Sequence, residues 1–345
     1  MARIRYMTAG ESHGSGLTAI LEGLPAGLAL DAGLIRADLA RRQIALGAGG
    51  RMAIETDQAE ITAGVMAGRT TGAPVALFIG NRNHEAWAGQ EVEAFTAPRP
   101  GHADFAAAVK YGYDDIRPAL ERASARETAA RVAVGACCRA FLGEFGITVA
   151  GRILSIGGHT TEADIAAAIA TATEEGETLG GVIEVTAAGL PVGLGSHVAA
   201  DRRLDARLAA ALMSVPAIKG VEFGDGFALA GMKGTETRGR MGGLAGGITD
   251  GTSLVLRAAM KPIPTTRRPQ PTVDLATGTP AETVYERSDV CPVPRAVVIL
   301  EAMVCLTLAD ALAEKLGGDS LAEMRPRFAA LPRTVQLDSR KKVFW

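Results

Sequence analysis

The sequence predicts an α+β protein built of two similar halves packed as one unit, and three observations carry that expectation. Segments that alternate apolar and polar residues recur between glycine-rich turns, the period-two pattern of half-buried strands. Segments with helical spacing of small apolar residues lie between them. The chain also repeats itself. GLPAGL at Gly23–Leu28 returns as GLPVGL at Gly189–Leu194, and Arg122-Ala-Ser returns as Arg287-Ser-Asp, each before a long apolar helix and each about 165 positions later.

The alternating segments are Gly16–Glu22, Glu60–Met66, Val75–Ile79, Val182–Ala187 and Ser253–Ala258. Glycine clusters such as GLGSH (Gly193–His197) and GGLAGGITDG (Gly242–Gly251) punctuate them. Helical spacing covers Leu34–Leu46, Ser124–Phe145, Ala163–Glu174, Asp201–Met213 and Pro294–Leu316. The second is the plainest helix. Ser124 and Glu127 spell an S-x-x-E capping box, and the segment would be roughly 33 Å long, a central buried element. Pro294 suits a first helical turn. No linker-like stretch separates the halves, roughly 1–150 and 151–330, so residues 1–345 read as a single domain.

Composition narrows the function classes. At 48% hydrophobic and 21% charged, the 345 residues suffice for a packed core, unlike a disordered chain. A net charge of -2 gives no global attraction to nucleic acid or anionic lipid, and 4% aromatics supplies few stacking platforms. Neither a nucleic-acid nor a membrane partner is expected. Cys137, Cys138, Cys291 and Cys305 form no CxxC pair and read as buried small hydrophobes. MARIRYMTAGESHG has no apolar signal-peptide core. The most hydrophobic stretch, Ala296–Leu312, carries Glu301 and Asp310 and reads as too short and too charged to span a bilayer. The expected location is the cytoplasm.

Two of the five histidines lie in glycine-containing polar turns, His13 in GESHG and His102 in RPGHAD. Such a histidine is open to a ligand and suits proton transfer near neutral pH; a surface or capping role is the alternative. Arginines gather at the same segments. Arg41, Arg42 and Arg51 flank one glycine-rich loop, Arg99 and Lys110 bracket His102, and Arg117, Arg122, Arg126 and Arg131 surround the start of the long helix. Lys261, Arg267 and Arg268 follow another glycine-rich loop. Guanidinium groups beside a helix start make an anion site, for phosphate or carboxylate. The sequence contains no GxxxxGK[ST] loop or HExxH pair, and no metal site is expected. The residues alone therefore indicate an enzyme with an anionic small-molecule substrate and histidine acid–base groups.

The motifs in their order resemble the chorismate synthase family along nearly the whole chain. They are TAGESHG (Thr8–Gly14), GLPAGL, RRQ (Arg41–Gln43), RM-x-IE (Arg51–Glu55), TTGAPVAL (Thr70–Leu77), PRPGHAD (Pro98–Asp104) and ERASARETAARVAVGA (Glu121–Ala136). GLGSH, AIKGVEFGDGF (Ala217–Phe227), KPIPTT (Lys261–Thr266) and ERSDVCPVP (Glu286–Pro294) follow. The resemblance implies helices packed between two antiparallel sheets in a β-α-β sandwich, and a homotetramer. It implies reduced FMN as cofactor, NADPH as a candidate reductant, and 1,4-anti elimination of phosphate from 5-enolpyruvylshikimate 3-phosphate to give chorismate, without net redox change. On the matching positions it implies catalytic roles for His13, the acid for the leaving phosphate, for His102 beside the flavin, and for Asp289 at flavin N5. Arg42, Arg51, Ser124, Ala125 and Arg126 match substrate contacts. Arg122, Ala123, Ser124, Gly246, Lys261, Pro262, Ile263, Pro264, Thr265 and Arg287 match FMN contacts.

The chain departs from the family pattern at Ala48, where an arginine is usual, in the short Thr235–Met241 segment, and in an abbreviated stretch before Thr160. Losing one charge-assisted hydrogen bond costs about 1.5–3 kcal/mol, enough to weaken binding. A second reading is therefore a non-catalytic or altered relative that binds FMN or a shikimate-like anion.

Overall fold

The computed structural model describes residues 3–43, 57–284 and 289–337. Eight strands build two four-stranded sheets. The first sheet holds β1 (Arg5–Ala9), β2 (Gly16–Glu22), β3 (Ala59–Ala63) and β4 (Val75–Gly80), paired in the order β1-β2-β4-β3. The second holds β5 (Thr148–Ile156), β6 (Gly181–Ala188), β7 (Ile218–Phe223) and β8 (Leu254–Met260), in the order β5-β6-β8-β7. Every neighbouring pair is antiparallel. The two sheets thus repeat one topology.

The helices are α1 (Ala32–Gln43), α2 (Asp104–Tyr111), α3 (Arg117–Arg122), α4 (Thr128–Gly143), α5 (Glu162–Glu175), α6 (Leu204–Met213), α7 (Val293–Leu316) and α8 (Leu321–Ala329). Helices α1, α4, α6 and α7 fill the space between the sheets. In β2, Leu17, Ala19 and Leu21 are buried while their neighbours face outward, and that apolar row packs on α4. Helix α7 lies against β5 and β6. The expected α+β sandwich with an internal repeat is the observed fold.

The repeat extends to single hydrogen bonds. Thr70 Oγ1 donates to the Pro25 carbonyl at 2.6 Å and accepts from the Leu28 N–H at 2.9 Å. Thr249 Oγ1 donates to the Pro191 carbonyl at 2.6 Å and accepts from the Leu194 N–H at 2.9 Å. These are the GLPAGL and GLPVGL segments, each buckled to a short hairpin by one buried threonine. The hairpin turns carry Ala67 at φ 49° and Gly246 at φ 59°.

Several expected boundaries move. Gly64, at φ 85°, breaks the Glu60–Met66 strand into β3 and the hairpin arm Val65–Met66. The long helix does not start at Ser124: a 3₁₀ turn over Ala125–Glu127 precedes α4. Ser124 accepts from the Arg126 N–H at 3.3 Å. Glu127 binds Thr8 Oγ1 at 2.6 Å and Arg131 at 2.8 Å instead of closing a capping box. Ion pairing to Arg131 is the stronger use of a buried carboxylate. Likewise a 3₁₀ turn at Ala200–Arg202 delays α6 to Leu204.

Helix α7 also corrects an expectation. Its 24 residues are apolar enough and long enough to cross a bilayer, so length and charge do not exclude a span. Burial does, because nearly all of it lies inside the fold. Glu301 and Asp310, its two buried acids, are each satisfied there. Glu301 accepts from Arg41 twice at 2.8 Å, from Arg139 at 2.8 Å and from the Gly151 N–H at 2.7 Å. Asp310 accepts from the N–H groups of Arg3 and Ile4 and from Arg207. All four cysteines are buried, and burial pushes the Cys137 and Cys305 thiols up to about 12.

Candidate active site

The 3₁₀ turn before α4 and the first turns of α7 open on one cleft of about 910 Å³. Residues from both helix starts line it, and a helix N-terminus favours anions. Side chains come from both halves. Ser12, His13, Trp87, His102 and Arg122–Thr128 line one side, and Pro216, Lys219, Lys261, Thr265, Asp289 and Arg295 the other. Among the described residues, eight arginines and lysines face the cleft against two acids, Glu127 and Asp289. That excess marks a site for an anionic ligand.

The His13 loop is held from several directions. Asn81 Nδ2 donates to the carbonyls of Glu11, Ser12 and Gly14 at 3.0, 3.3 and 2.8 Å. His84 Nδ1 donates to the His13 carbonyl at 3.0 Å. The Glu121 carboxylate accepts the His13 N–H at 2.7 Å and lies 2.6 Å from ring Nδ1. Trp87 packs on the ring, with centroids 4.5 Å apart. Ser12 and Ser124 hydroxyls meet at 3.1 Å.

Arg42 and Arg126 are buried beneath the cleft floor. Arg42 donates to Thr128 Oγ1 at 3.2 Å, the Ala125 carbonyl at 3.0 Å and Asp57 at 3.3 Å. Arg126 donates to Asn81 Oδ1 at 2.8 Å and to Asp57. Burial, with Arg126 and Arg295 nearby, pulls Arg42 down to about 10 against the opposing field of Asp57. Cations outnumber acids around the cleft. Arg295, which sequence reasoning passed over, is one of those cations. It pairs with Asp289 at 2.6 Å, yet its Nε and Nη2 are buried without a hydrogen-bond partner. Burial also lowers its pKa.

Arg99 is spoken for by Asp104, through 2.7 and 2.9 Å bonds. Its guanidinium sits 3.5 Å from His102 Nδ1. Burial first, then Arg99 and Lys261, push His102 down to about 4, with Asp104 opposing. Lys261 Nζ donates to the Gly101 carbonyl at 3.0 Å and so ties the second half to the His102 turn.

The structure therefore brings His13, His102, Asp289, Arg42, Ser124, Ala125, Arg126, Arg122, Ala123, Lys261, Ile263, Pro264 and Thr265 to one cleft. Pro262 sits between two lining residues without lining it. Gly246 stands apart, in a hairpin turn whose left-handed φ of 59° calls for glycine. Arg51, Arg287 and Ala48 lie outside the described residues. Asp57, Asn81, Glu121 and Arg295 were not anticipated. Glu121 and Arg295 stand in or beside quoted motifs, whereas Asp57 and Asn81 carry no sequence signal.

Comparison with known proteins agrees. The family model described as chorismate synthase matches residues 4–313. A chorismate synthase of Moorella thermoacetica is 50% identical over 380 aligned residues, covering 96% of this chain and 99% of that protein. One of Caldanaerobacter subterraneus is 49% identical over 340, covering 94% and 97%. The second alignment makes that relative about as short as this chain. A crystal structure of chorismate synthase superposes with a TM-score of 0.78 at 40% identity, covering 95% of this chain and 97% of that one. With a match over most of its length and relatives at half its residues, the chain belongs to the chorismate synthase family.

Proposed function

We propose that this chain is an active carbon–oxygen lyase that eliminates phosphate from 5-enolpyruvylshikimate 3-phosphate to give chorismate, in the shikimate route to aromatic amino acids. The observation that carries the reading is the single cationic cleft, with two histidines and a carboxylate around it, in a chain about half identical to chorismate synthases over their full length. Full-length similarity favours this over a non-catalytic relative.

The residues fit reduced FMN. The cleft is near the upper end of the roughly 300–1,000 Å³ usual for ligand sites, and unpartnered Arg295 donors face it. Arg122, Ala123, Ser124 and the 261–265 segment would hold the flavin, with Arg287. Gly246 could join them only from a second copy of the chain, and so belongs with the homotetramer reading. When bound, reduced flavin supplies transient electron density for the elimination and takes up the hydrogen, with no net redox change.

The protein's own groups do the rest. Arg42, Arg51 and Arg126, with the start of α4, hold the substrate's carboxylates and phosphate. His13 gives a proton to the leaving phosphate, which lowers the cost of its departing charge. Asp289, a carboxylate paired with the Arg295 guanidinium, assists at flavin N5 in this reading. His102, whose pKa is about 4 in the free protein, is a neutral hydrogen-bonding partner at pH 7. The expected location is the cytoplasm.

The test is an anaerobic assay with chemically reduced FMN and the enolpyruvyl phosphate ester. Chorismate and phosphate should appear together, and both should collapse in His13→Ala and Asp289→Ala. Folded, FMN-binding protein without turnover overturns the reading. Repeating the assay with NADPH in place of the chemical reductant reads out self-sufficient reduction.

A further inference from the structure

We propose that Glu121 is a positioning residue for His13, fixing which ring nitrogen meets the ligand; this rests on the role given to His13 above. One carboxylate grips the residue twice, accepting its backbone N–H at 2.7 Å and facing ring Nδ1 at 2.6 Å. An ionised carboxylate has acceptors only, so Nδ1 must carry the hydrogen. The proton-exchanging atom left for the cleft is Nε2.

The surroundings make this carboxylate decisive. Both side chains are largely buried, at 16% exposure for His13 and 12% for Glu121. Burial alone would raise the Glu121 pKa, but the His13 ring and N–H outweigh it and hold the group below its ordinary value. Asn81 and His84 fix the loop backbone, and Trp87 covers one ring face. What they leave undetermined is the ring flip that exchanges the two nitrogens, and among the described residues the Glu121 contact is the one that selects between them. The pair therefore presents the same atom in the same protonation pattern at every turnover.

The test uses the whole protein. In ¹⁵N-histidine-labelled wild type, solid-state NMR at a pH where the ring is neutral should show His13, identified by its loss in His13→Asn, protonated on Nδ1. Glu121→Ala should erase that preference and lower kcat about ten- to a hundredfold, part of the 10²–10⁴ that a positioned acid contributes. Substrate KM should stay within about twofold, as expected for a group acting on the chemical step. Glu121→Gln, which keeps an acceptor but not the charge, should fall between. A wild-type ring protonated on Nε2 with a bare Nδ1 overturns the proposal, as does an unchanged kcat or a loss confined to KM. If Glu121→Ala does not fold, the wild-type spectrum and Glu121→Gln decide. If wild type folds but shows no turnover, the spectrum still judges the positioning, and only the activity reading fails.

Discussion

Asp57 is the counter-ion for buried Arg42 and Arg126 and also favours the charge on Arg295. Asp57→Asn would leave those guanidiniums facing one another away from water. Breaking a buried pair in this way costs about 3–5 kcal/mol, to be read from urea denaturation of the folded variant against wild type. His102 makes a pH prediction. Its folded pKa of about 4 lies below the ordinary 6.5, so between those values the unfolded chain binds a proton that the folded chain refuses. The stability gained by keeping the ring neutral is complete above 6.5 and is lost as the pH falls toward 4. Thermal melts across that window should show a shallower pH slope for His102→Gln than for wild type. At this scale the placement of His13 and His102 at the cleft was legible, because glycine-flanked polar turns advertise access. Asp57 and Asn81 were not legible, because apart from the Asp57–Arg42 pair their arginine and carbonyl partners lie 45 to 70 positions away.

Gly135 lies where α4 crosses α7, and a Cβ there would stand 2.3 Å from the Ala302 Cβ. Alanine usually stabilises a helix interior over glycine by about 1 kcal/mol. Here the crossing would have to open, and overpacking costs about 1–3 kcal/mol, so Gly135→Ala should lower the denaturation midpoint. The paired threonines offer a matched test. Thr70→Val and Thr249→Val each strand a carbonyl and an N–H, at about 1–3 kcal/mol per unsatisfied buried group. Both should destabilise, and by similar amounts, because the bond lengths repeat. The elements with strong alternation, such as β2, were legible to the residue. Strands β1, β5 and β7 were not: Arg5–Ala9 is short, Thr148–Ile156 contains Gly151 and a register shift, and Ile218–Phe223 is half polar. Their strand character comes from pairing with a neighbour, which no local pattern records.

One continuous hydrophobic core runs from Ile4 to Met324 through both sheets and all four central helices. The two threonine variants should therefore shift one shared unfolding transition; two separable transitions in circular dichroism and tryptophan fluorescence would contradict a single domain over 1–345. The repeat that builds this core was visible in two short sequence echoes, while the identity of the strand orders needed three dimensions. The cleft lies where equivalent ends of the two copies meet, and there the copies have parted company. Ser124, just before α4, and Asp289, just before α7, stand at matching places in the echoed segments Arg122-Ala-Ser and Arg287-Ser-Asp. One holds a hydroxyl that receives an N–H beside an anion site; the other holds a carboxylate. One repeated position thus carries two different side chains on facing walls. A symmetric dimer of such units would set like against like, serine to serine or acid to acid. With both halves in one chain the two walls can differ, and a near-symmetric scaffold can fit a ligand whose two ends differ.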